Sequence, residues 1–157
     1  MRIILMGPPG AGKGTQAAVI SARLGIPHIS SGEIFRTNMA AGTPLGIEAR
    51  SYIDAGNYVP DDITNGMIRD RLAQPDAAHG FLLDGYPRTL DQIHRLDDML
   101  AESGLELDAV VEMTADPEVV VKRLLARAAL EGRTDDTDDI IRNRLLVYHQ
   151  QTAPLTS

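Results

Sequence analysis

The residues RIILM at positions 2–6 run directly into GPPGAGKGT at positions 7–15. The apolar run predicts a buried strand, the glycines predict a tight loop, and the residues from Thr15 onward predict a helix. The backbone N–H groups of such a loop point inward at an anion, and the helix N-terminus behind them adds about half a positive charge. Lys13 adds a full charge at the same place. The stretch therefore indicates a phosphate-binding P-loop rather than a glycine-rich turn that binds nothing.

One position departs from the general P-loop pattern. Gly14 follows the lysine where serine or threonine is usual, and Thr15 comes one place later. The usual residue ligates Mg²⁺ through its hydroxyl. The pattern therefore does not secure a hydroxyl ligated directly to the metal.

Length and composition point to a single acidic domain. The chain has 157 residues, of which 43% are hydrophobic, and a formal net charge of −7. This charge argues against a nucleic-acid surface. No apolar stretch approaches the roughly 20 residues that cross a membrane, and we expect no signal peptide. The absence of cysteine excludes disulfides and thiolate metal sites and is consistent with the cytoplasm.

Short apolar runs alternate with helical patterns along the chain. Strands are predicted at 2–6, 26–29, 81–83 and 109–113, and helices at 15–24, 90–103, 117–130 and 137–150. Three of the apolar runs are continuous, which favours a parallel sheet covered on both faces. The predicted class is α/β with right-handed crossovers. Residues 30–60 break this rhythm with short helices and glycine turns, as a decorated crossover or a mobile substrate clamp would.

A second polar cluster follows the apolar run at 81–83. Asp84 ends this run as the acid of a Walker B motif does, and beside the first strand it would reach the hydration shell of Mg²⁺. The run Gly85-Tyr86-Pro87-Arg88 comes next, with Gln92 four residues later. An aspartate at a strand end is often only a helix cap. The whole run behind a P-loop is much more specific.

These motifs resemble those of adenylate kinase in their order and spacing, over nearly the whole chain. The resemblance rests on residues 7–15, 30–32, 36, 84–88, 92 and 148–155. It implies that the terminal phosphoryl group of ATP passes to AMP, giving two ADP, with Mg²⁺. The family also carries the Gly-Lys-Gly-Thr order, which explains Gly14.

The resemblance implies one P-loop kinase domain over residues 1–157, with a three-layer α/β/α fold around a central parallel sheet. Its parts would be a core at 1–29, 61–126 and 137–157, an AMP-binding region at 30–60, and a short lid at 127–136. Long-lid members have roughly thirty more residues in the lid, so the chain is similar to the short-lid branch. The region 30–60 and the lid are the expected moving parts.

The resemblance and the side-chain chemistry together predict the nucleotide contacts. The ATP phosphates are expected on Gly10, Ala11, Gly12, Lys13, Gly14 and Thr15. Guanidinium forks suit phosphate oxygens, so Arg36 and Arg88 are expected to hold the AMP phosphate. The remaining AMP contacts are expected from Ser31, Asn57, Tyr58, Val59, Gly85, Tyr86, Pro87 and Gln92. Gln92 has the donor and the acceptor that the edge of adenine requires, although an isolated glutamine would be interpreted as solvated.

Further arginines are expected around the phosphates in the closed state, on the strength of the resemblance. They are Arg123, Arg127, Arg133 and Arg144. Arg127 is expected on ATP, and Arg133 and Arg144 also on AMP. The predicted catalytic set is Lys13, Arg88, Arg123, Arg133 and Arg144. The alternative for each helical arginine is a surface ion pair worth under about 1 kcal/mol. We interpret Arg142 as solvated, because it lies two residues from Arg144 and faces elsewhere on a helix.

Mg²⁺ is the expected cofactor, arriving with ATP and meeting Asp84 through water. No zinc is expected, because the chain has no cysteine and the stretch between Arg127 and Asp135 has no histidine. The four histidines, at positions 28, 79, 94 and 149, are interpreted as surface or packing residues. The expected partners are ATP and AMP, without nucleic acid or membrane, and the chain is expected to be a cytoplasmic monomer.

The chain stops at Ser157, whereas the family continues to a fifth strand and a final helix. We therefore expect a fragment or an incomplete kinase whose strand at 109–113 is an edge open to association. Two other functions stay open. One is a kinase for UMP or CMP, and the other is a truncated nucleotide-binding chain with little activity.

Overall fold

The computed structural model describes residues 1–133 and 136–156, which form two compact units. The first unit comprises Met1–Met6, Gly12–Ser31 and Pro60–Glu112. The second comprises Gly7–Ala11, Gly32–Val59 and the chain from Met113 onward. The strands are β1 Arg2–Met6, β2 His28–Ser30, β3 Phe81–Asp84 and β4 Ala109–Glu112. The α-helices are α1 Lys13–Leu24, α2 Ser31–Ala41, α3 Pro44–Asp54, α4 Asp61–Leu72, α5 Leu90–Glu102, α6 Pro117–Glu131 and α7 Asp138–Val147.

The four strands form one parallel sheet in the order β2-β3-β1-β4. Strand β1 pairs with β3 from Arg2 opposite Phe81 to Leu5 opposite Asp84. The continuous apolar runs of these two strands are buried because the strands lie inside the sheet. The predicted parallel α/β class is confirmed.

The prediction that the sheet is covered on both faces is wrong for β4. Val110 is 55% exposed and Val111 is 40% exposed. Successive strand residues point to opposite faces, so neither face of β4 is buried. Strand β4 lies at the edge of the sheet, as expected for the strand at 109–113.

Two predicted boundaries move for local backbone reasons. Strand β2 begins at His28 rather than at residue 26, because Pro27 precedes it and has no N–H to donate to a ladder. Helix α1 begins at Lys13 rather than Thr15, directly after Gly12 with φ 97°. This left-handed φ suits glycine, and it ends the loop two residues earlier than expected.

Two helical features were not predicted. Helix α4 follows Pro60 and carries Asp61 and Asp62 in its first turn, where acids stabilise the helix dipole. The predicted helix at 137–150 ends as an α-helix at Val147. It continues as a π-helical turn at Tyr148–Thr152 and a 3₁₀ turn at Ala153–Thr156.

The second unit has a small core of its own between α6 and α7. Val120, Leu124 and Ile141 are buried together there. The N-cap of α6 is Asp116, which accepts from the backbone N–H groups of Glu118 and Val119. In the described part of the chain, no helix is both long enough and apolar enough to cross a membrane.

The burial of β3 gives the first testable prediction. Leu82 is 0% exposed between two neighbouring strands, so Leu82→Ala should lower the free energy of unfolding by about 2–5 kcal/mol. Urea unfolding measures this change. Leu130→Ala is the matched control, since Leu130 is 87% exposed, and it should change stability by less than about 0.5 kcal/mol. Equal losses in the two variants would contradict the burial of β3.

Candidate active site

The P-loop is built from a tight turn and an open helix start. The backbone N–H of Ala11 donates to the Pro8 carbonyl over 3.2 Å, and Gln16 makes the first helical bond to the Gly12 carbonyl. Because the N-cap is Gly12, the N-cap residue has no side chain to bond to the first turn of α1. A helix N-terminus of this kind suits an anion such as phosphate.

Gly10 shows why the loop requires glycine. Its φ is +82°, and a Cβ there would lie 2.8 Å from Leu124 Cγ. It would also lie 3.1 Å from the Val120 carbonyl oxygen. A larger residue would push the loop away from α6.

Three predicted AMP-binding residues meet at the Gly85 carbonyl in the first unit. The Ser31 hydroxyl donates to this oxygen over 2.7 Å, and Arg88 Nε donates to it over 2.7 Å. Gly85 has φ +78°, and a Cβ there would come within 2.7 Å of Ser31 Oγ. The turn continues through a cis peptide bond between Tyr86 and Pro87. The sequence run 85–88 is thus one compact turn with a guanidinium at its end.

Gln92 is joined to the same turn through its side-chain amide. Its Oε1 accepts from the Arg88 backbone N–H over 2.7 Å, and its Nε2 donates to Asp61 Oδ1 over 2.8 Å. The residue is only 2% exposed. Each amide atom therefore makes one hydrogen bond inside the protein and has the capacity for a second.

The Tyr86 hydroxyl holds the turn in place through buried hydrogen bonds. It donates to Asn65 Oδ1 over 2.7 Å, and Asn65 Nδ2 donates in turn to Asp91 Oδ2 over 3.1 Å. Burial raises the pKa of Tyr86 well above its ordinary value, and the negative charges of Asp61 and Asp91 raise it further. The hydroxyl is thus protonated at neutral pH and able to donate.

Asp84 has a partner that the sequence did not indicate. Its Oδ2 lies 3.1 Å from His28 Nε2. The two residues meet because β2 and β3 are neighbours, with Ser30 opposite Asp84, and His28 stands two residues earlier on the same face. His28 was interpreted as a surface or packing residue, and the structure instead joins it to a predicted site residue.

The carboxylate of Asp84 is compatible with an indirect role toward Mg²⁺. Among the described residues, no group of three or more histidines and acids is placed to hold a metal ion. Mg²⁺ keeps several waters and binds through one or two carboxylates together with substrate phosphates. A single strand-end carboxylate fits that donor set.

In the second unit, two of the predicted arginines share one buried carboxylate. Arg127 donates to Asp136 Oδ2 from Nε over 3.0 Å and from Nη2 over 2.7 Å. Arg144 Nη1 donates to the other oxygen, Oδ1, and the Asp136 side chain is fully buried. Both guanidiniums are therefore held in place by the same carboxylate.

The other arginines in this unit have different surroundings. Arg133 pairs with Glu131, and Arg123 is exposed on α6. Arg142 pairs with Asp138 over 2.8 Å on an exposed surface, which confirms its interpretation as a solvated residue. Positions 134 and 135 of the predicted lid lie outside the described residues.

The predicted base contacts at 57–59 are tied to the C-terminal helices of the same unit. Asn143 Nδ2 donates to Asn57 Oδ1 over 2.9 Å. The Tyr58 hydroxyl lies 2.6 Å from Thr152 Oγ1, and Val59 is buried. Arg36 lies close to Gly32, where a Cβ would be 3.1 Å from Arg36 Nη1.

Sequence reasoning missed the residues that hold the site residues in place. These are His28, Asp61, Asn65 and Asp136. Asp61 could have been read as a helix-start acid after Pro60, but no spacing links it to Gln92, 31 positions away. Such partners are polar residues without a motif, so their roles depend on the tertiary fold.

The class of P-loop phosphotransferases is defined by a strand, a P-loop and a helix on a parallel sheet, with an aspartate at the end of the adjacent strand. The first unit and the loop that follows β1 have these features. The family model described as adenylate kinase matches residues 5–157. An adenylate kinase of Nocardioides sp. is 59% identical over 155 residues, which are 99% of this chain and 81% of the relative. One of Thermobifida fusca is 55% identical over 157 residues, 100% of this chain and 83% of the relative. One of Kocuria rhizophila is 59% identical over 154 residues, 98% and 82% of the two chains.

The chain belongs to the adenylate kinase family. The predicted resemblance and the predicted phosphotransferase class are confirmed. Adenylate kinases transfer a phosphoryl group between ATP and AMP, so the expected nucleotide chemistry is confirmed at the level of the family. The roles of individual residues stay predictions.

The buried Tyr86 hydroxyl predicts a specific alkaline instability. Because its pKa is raised in the folded state, the folded protein binds the proton more tightly than the unfolded chain. The associated stability is complete below about pH 10, the pKa of an unperturbed tyrosine, and falls as pH rises above it. Tyr86→Phe should therefore reduce the slope of stability against pH above pH 10 by up to about 1.4 kcal/mol per pH unit.

Denaturant unfolding at a series of pH values measures this slope. Tyr52→Phe is the control, because Tyr52 is 37% exposed and should leave the slope unchanged. If Tyr86→Phe and the wild-type protein showed the same slope, the Tyr86 hydroxyl would not be held protonated by burial.

Proposed function

We propose that the chain transfers the terminal phosphoryl group of ATP to AMP through the residues predicted above. The observation that carries this proposal is the turn at 85–92 in the first unit. A guanidinium, a hydroxyl and an oriented amide are held there by one carbonyl and one backbone N–H. A phosphate and a purine edge require this combination of groups.

The ATP side of the proposal rests on the P-loop. Lys13 and the backbone from Gly10 to Thr15 would hold the ATP phosphates at the start of α1, where the N-cap residue is a glycine without a side chain. Lys13 would supply a positive charge that stabilises the negative charge on the phosphoryl group during its transfer.

The AMP side would be shared between a phosphate end and a base end. Arg36 and Arg88 would bind the AMP phosphate, with Gly85, Tyr86 and Pro87 shaping the turn. Ser31 and Gln92 would contact the base. The remaining base contacts would come from the stretch 57–59.

Phosphoryl transfer here would require alignment and charge neutralisation rather than a general base, since the AMP phosphate is already an anionic nucleophile. Arg123, Arg127, Arg133 and Arg144 would neutralise the phosphate charge. Asp136 would keep Arg127 and Arg144 oriented, because it binds both guanidiniums at fixed atoms. The regions 30–60 and 127–136, which the sequence predicts to move, would exclude water and so prevent hydrolysis.

Mg²⁺ would arrive with ATP and neutralise charge on its phosphate oxygens. Asp84 would accept a hydrogen bond from a water of that ion, with His28 fixing the orientation of the carboxylate. We further propose that the chain acts in the cytoplasm, in agreement with its cysteine-free composition, and that it acts as a monomer.

A kinase for UMP or CMP is the competing function, and ADP formation from ATP with AMP, UMP and CMP in turn separates the three substrates. Lys13→Ala should lower turnover with AMP by at least about 100-fold, because a charge aligned with the transferred group is lost. The control is Lys122→Ala, which changes an exposed lysine on α6 and should keep full activity. Thermal melts check that both variants fold. Near wild-type turnover in Lys13→Ala would refute the P-loop assignment.

The two ends of the AMP site predict different losses. Arg88→Ala should lower turnover strongly, because the AMP phosphate loses its guanidinium. Gln92→Ala should instead loosen base choice, so that CMP and UMP compete better with AMP. Steady-state kinetics with the three monophosphates measures both effects, with the exposed Arg95→Ala as the control. Swapped outcomes would mean that the phosphate and base ends are assigned backwards.

A further inference from the structure

The side-chain amide of Gln92 is held in one orientation by two partners, each of which can bond to only one of the two amide atoms. The Arg88 backbone N–H is a donor, so the atom 2.7 Å from it must be the amide oxygen. The Asp61 carboxylate is an acceptor, so the atom 2.8 Å from it must be the amide nitrogen. A flipped amide would set N–H against N–H and oxygen against oxygen.

Asp61 is itself held in place from its other side. Its Oδ2 accepts from the Thr89 hydroxyl over 2.9 Å. The same hydroxyl accepts from the Gln92 backbone N–H over 3.2 Å as the N-cap of α5. Asp61, Thr89 and Gln92 thus form a closed ring of hydrogen bonds, and neither carboxylate oxygen of Asp61 is left to turn toward another partner.

This orientation has a consequence for the base. Each amide atom has used one hydrogen bond, so Oε1 can accept one more and Nε2 can donate one more. A base that its sugar and phosphate hold in one orientation must then bring an amino group to Oε1 and a ring acceptor to Nε2. Adenine and cytosine have this edge. Hypoxanthine, guanine and uracil carry a carbonyl oxygen and a ring N–H in the reverse order.

We propose that Asp61 is the positioning residue that selects 6-amino over 6-oxo purine monophosphates, by fixing the amide of Gln92. This rests on the proposed function, in which Gln92 contacts the base. Asp61 acts on the substrate only through Gln92, and its contribution is discrimination rather than affinity alone. A site built around fixed hydrogen-bonding groups rejects a substrate with the wrong edge far more strongly than an adaptable one does.

The test compares AMP with IMP, which differ only in the 6-substituent and the N1 hydrogen. The wild-type protein should strongly prefer AMP. In Asp61→Asn, the new side chain can donate to the amide oxygen of Gln92, so the flipped amide gains a partner there and is opposed only by the Arg88 N–H. The ratio of kcat/KM for AMP to that for IMP should fall by about tenfold or more, through a gain for IMP as well as a loss for AMP.

Asp91→Asn is the matched control, since Asp91 precedes Gln92 directly but bonds to Asn65 rather than to the amide. This variant should keep the wild-type ratio. If Asp61→Asn lowered kcat/KM for AMP and IMP by the same factor, Asp61 would be only structural and the proposal would be overturned. A thermal melt shows whether Asp61→Asn folds. If it does not fold, Thr89→Val is used to test the proposal instead. It leaves Asp61 without its Oδ2 partner and should also narrow the ratio, and an unchanged ratio overturns the proposal.

The failure of the proposed function gives a different result. The wild-type protein would then form no ADP from ATP and AMP. If only the Asp61 inference fails, the wild-type protein still forms ADP, and the ratio of kcat/KM for AMP to that for IMP is the same in Asp61→Asn as in the wild type.

Discussion

The parallel pairing of β1 with β3 is the constraint on which the first unit depends. Leu5 stands opposite Asp84, so both strands end at the same edge of the sheet. One strand leads into the phosphate-binding loop and the other into Asp84 and the turn that follows it. In parallel α/β sheets, ligands bind beyond the carboxyl ends of the strands. A shift of β3 by one residue against both neighbouring strands would turn its side chains to the opposite faces of the sheet. Asp84 would then no longer meet His28 on β2.

Close to that edge, the site residues are held by other polar residues rather than by apolar packing. The Gly85 carbonyl orients Ser31 and Arg88, while Asp61 and the Arg88 backbone N–H orient Gln92. Because a buried hydrogen-bonding group without a partner is costly, each of these bonds fixes a side chain in one arrangement. The protein itself therefore holds these side chains in place, and the proposed catalysis by alignment requires such an arrangement.

In the second unit, two positively charged side chains, Arg127 and Arg144, lie close together and repel each other. Asp136 separates the guanidiniums of Arg127 and Arg144 by binding one on each oxygen. The buried carboxylate lowers the mutual repulsion of the two guanidiniums. Loss of one member of a buried ionic group is strongly destabilising, so the two arginines and Asp136 depend on one another structurally.

The amino-acid sequence by itself determined the class and the family of this protein. The P-loop at 7–15 and the run 84–88 are local patterns whose chemistry depends on neighbouring positions, so they could be read without a fold. The continuous apolar runs likewise predicted the parallel sheet. Only the tertiary structure decided that His28 meets Asp84. It also decided that Asp61 orients Gln92 from 31 positions away. Those contacts join residues distant in the chain through single hydrogen bonds, and a single polar residue carries no periodicity or motif that would indicate its partner.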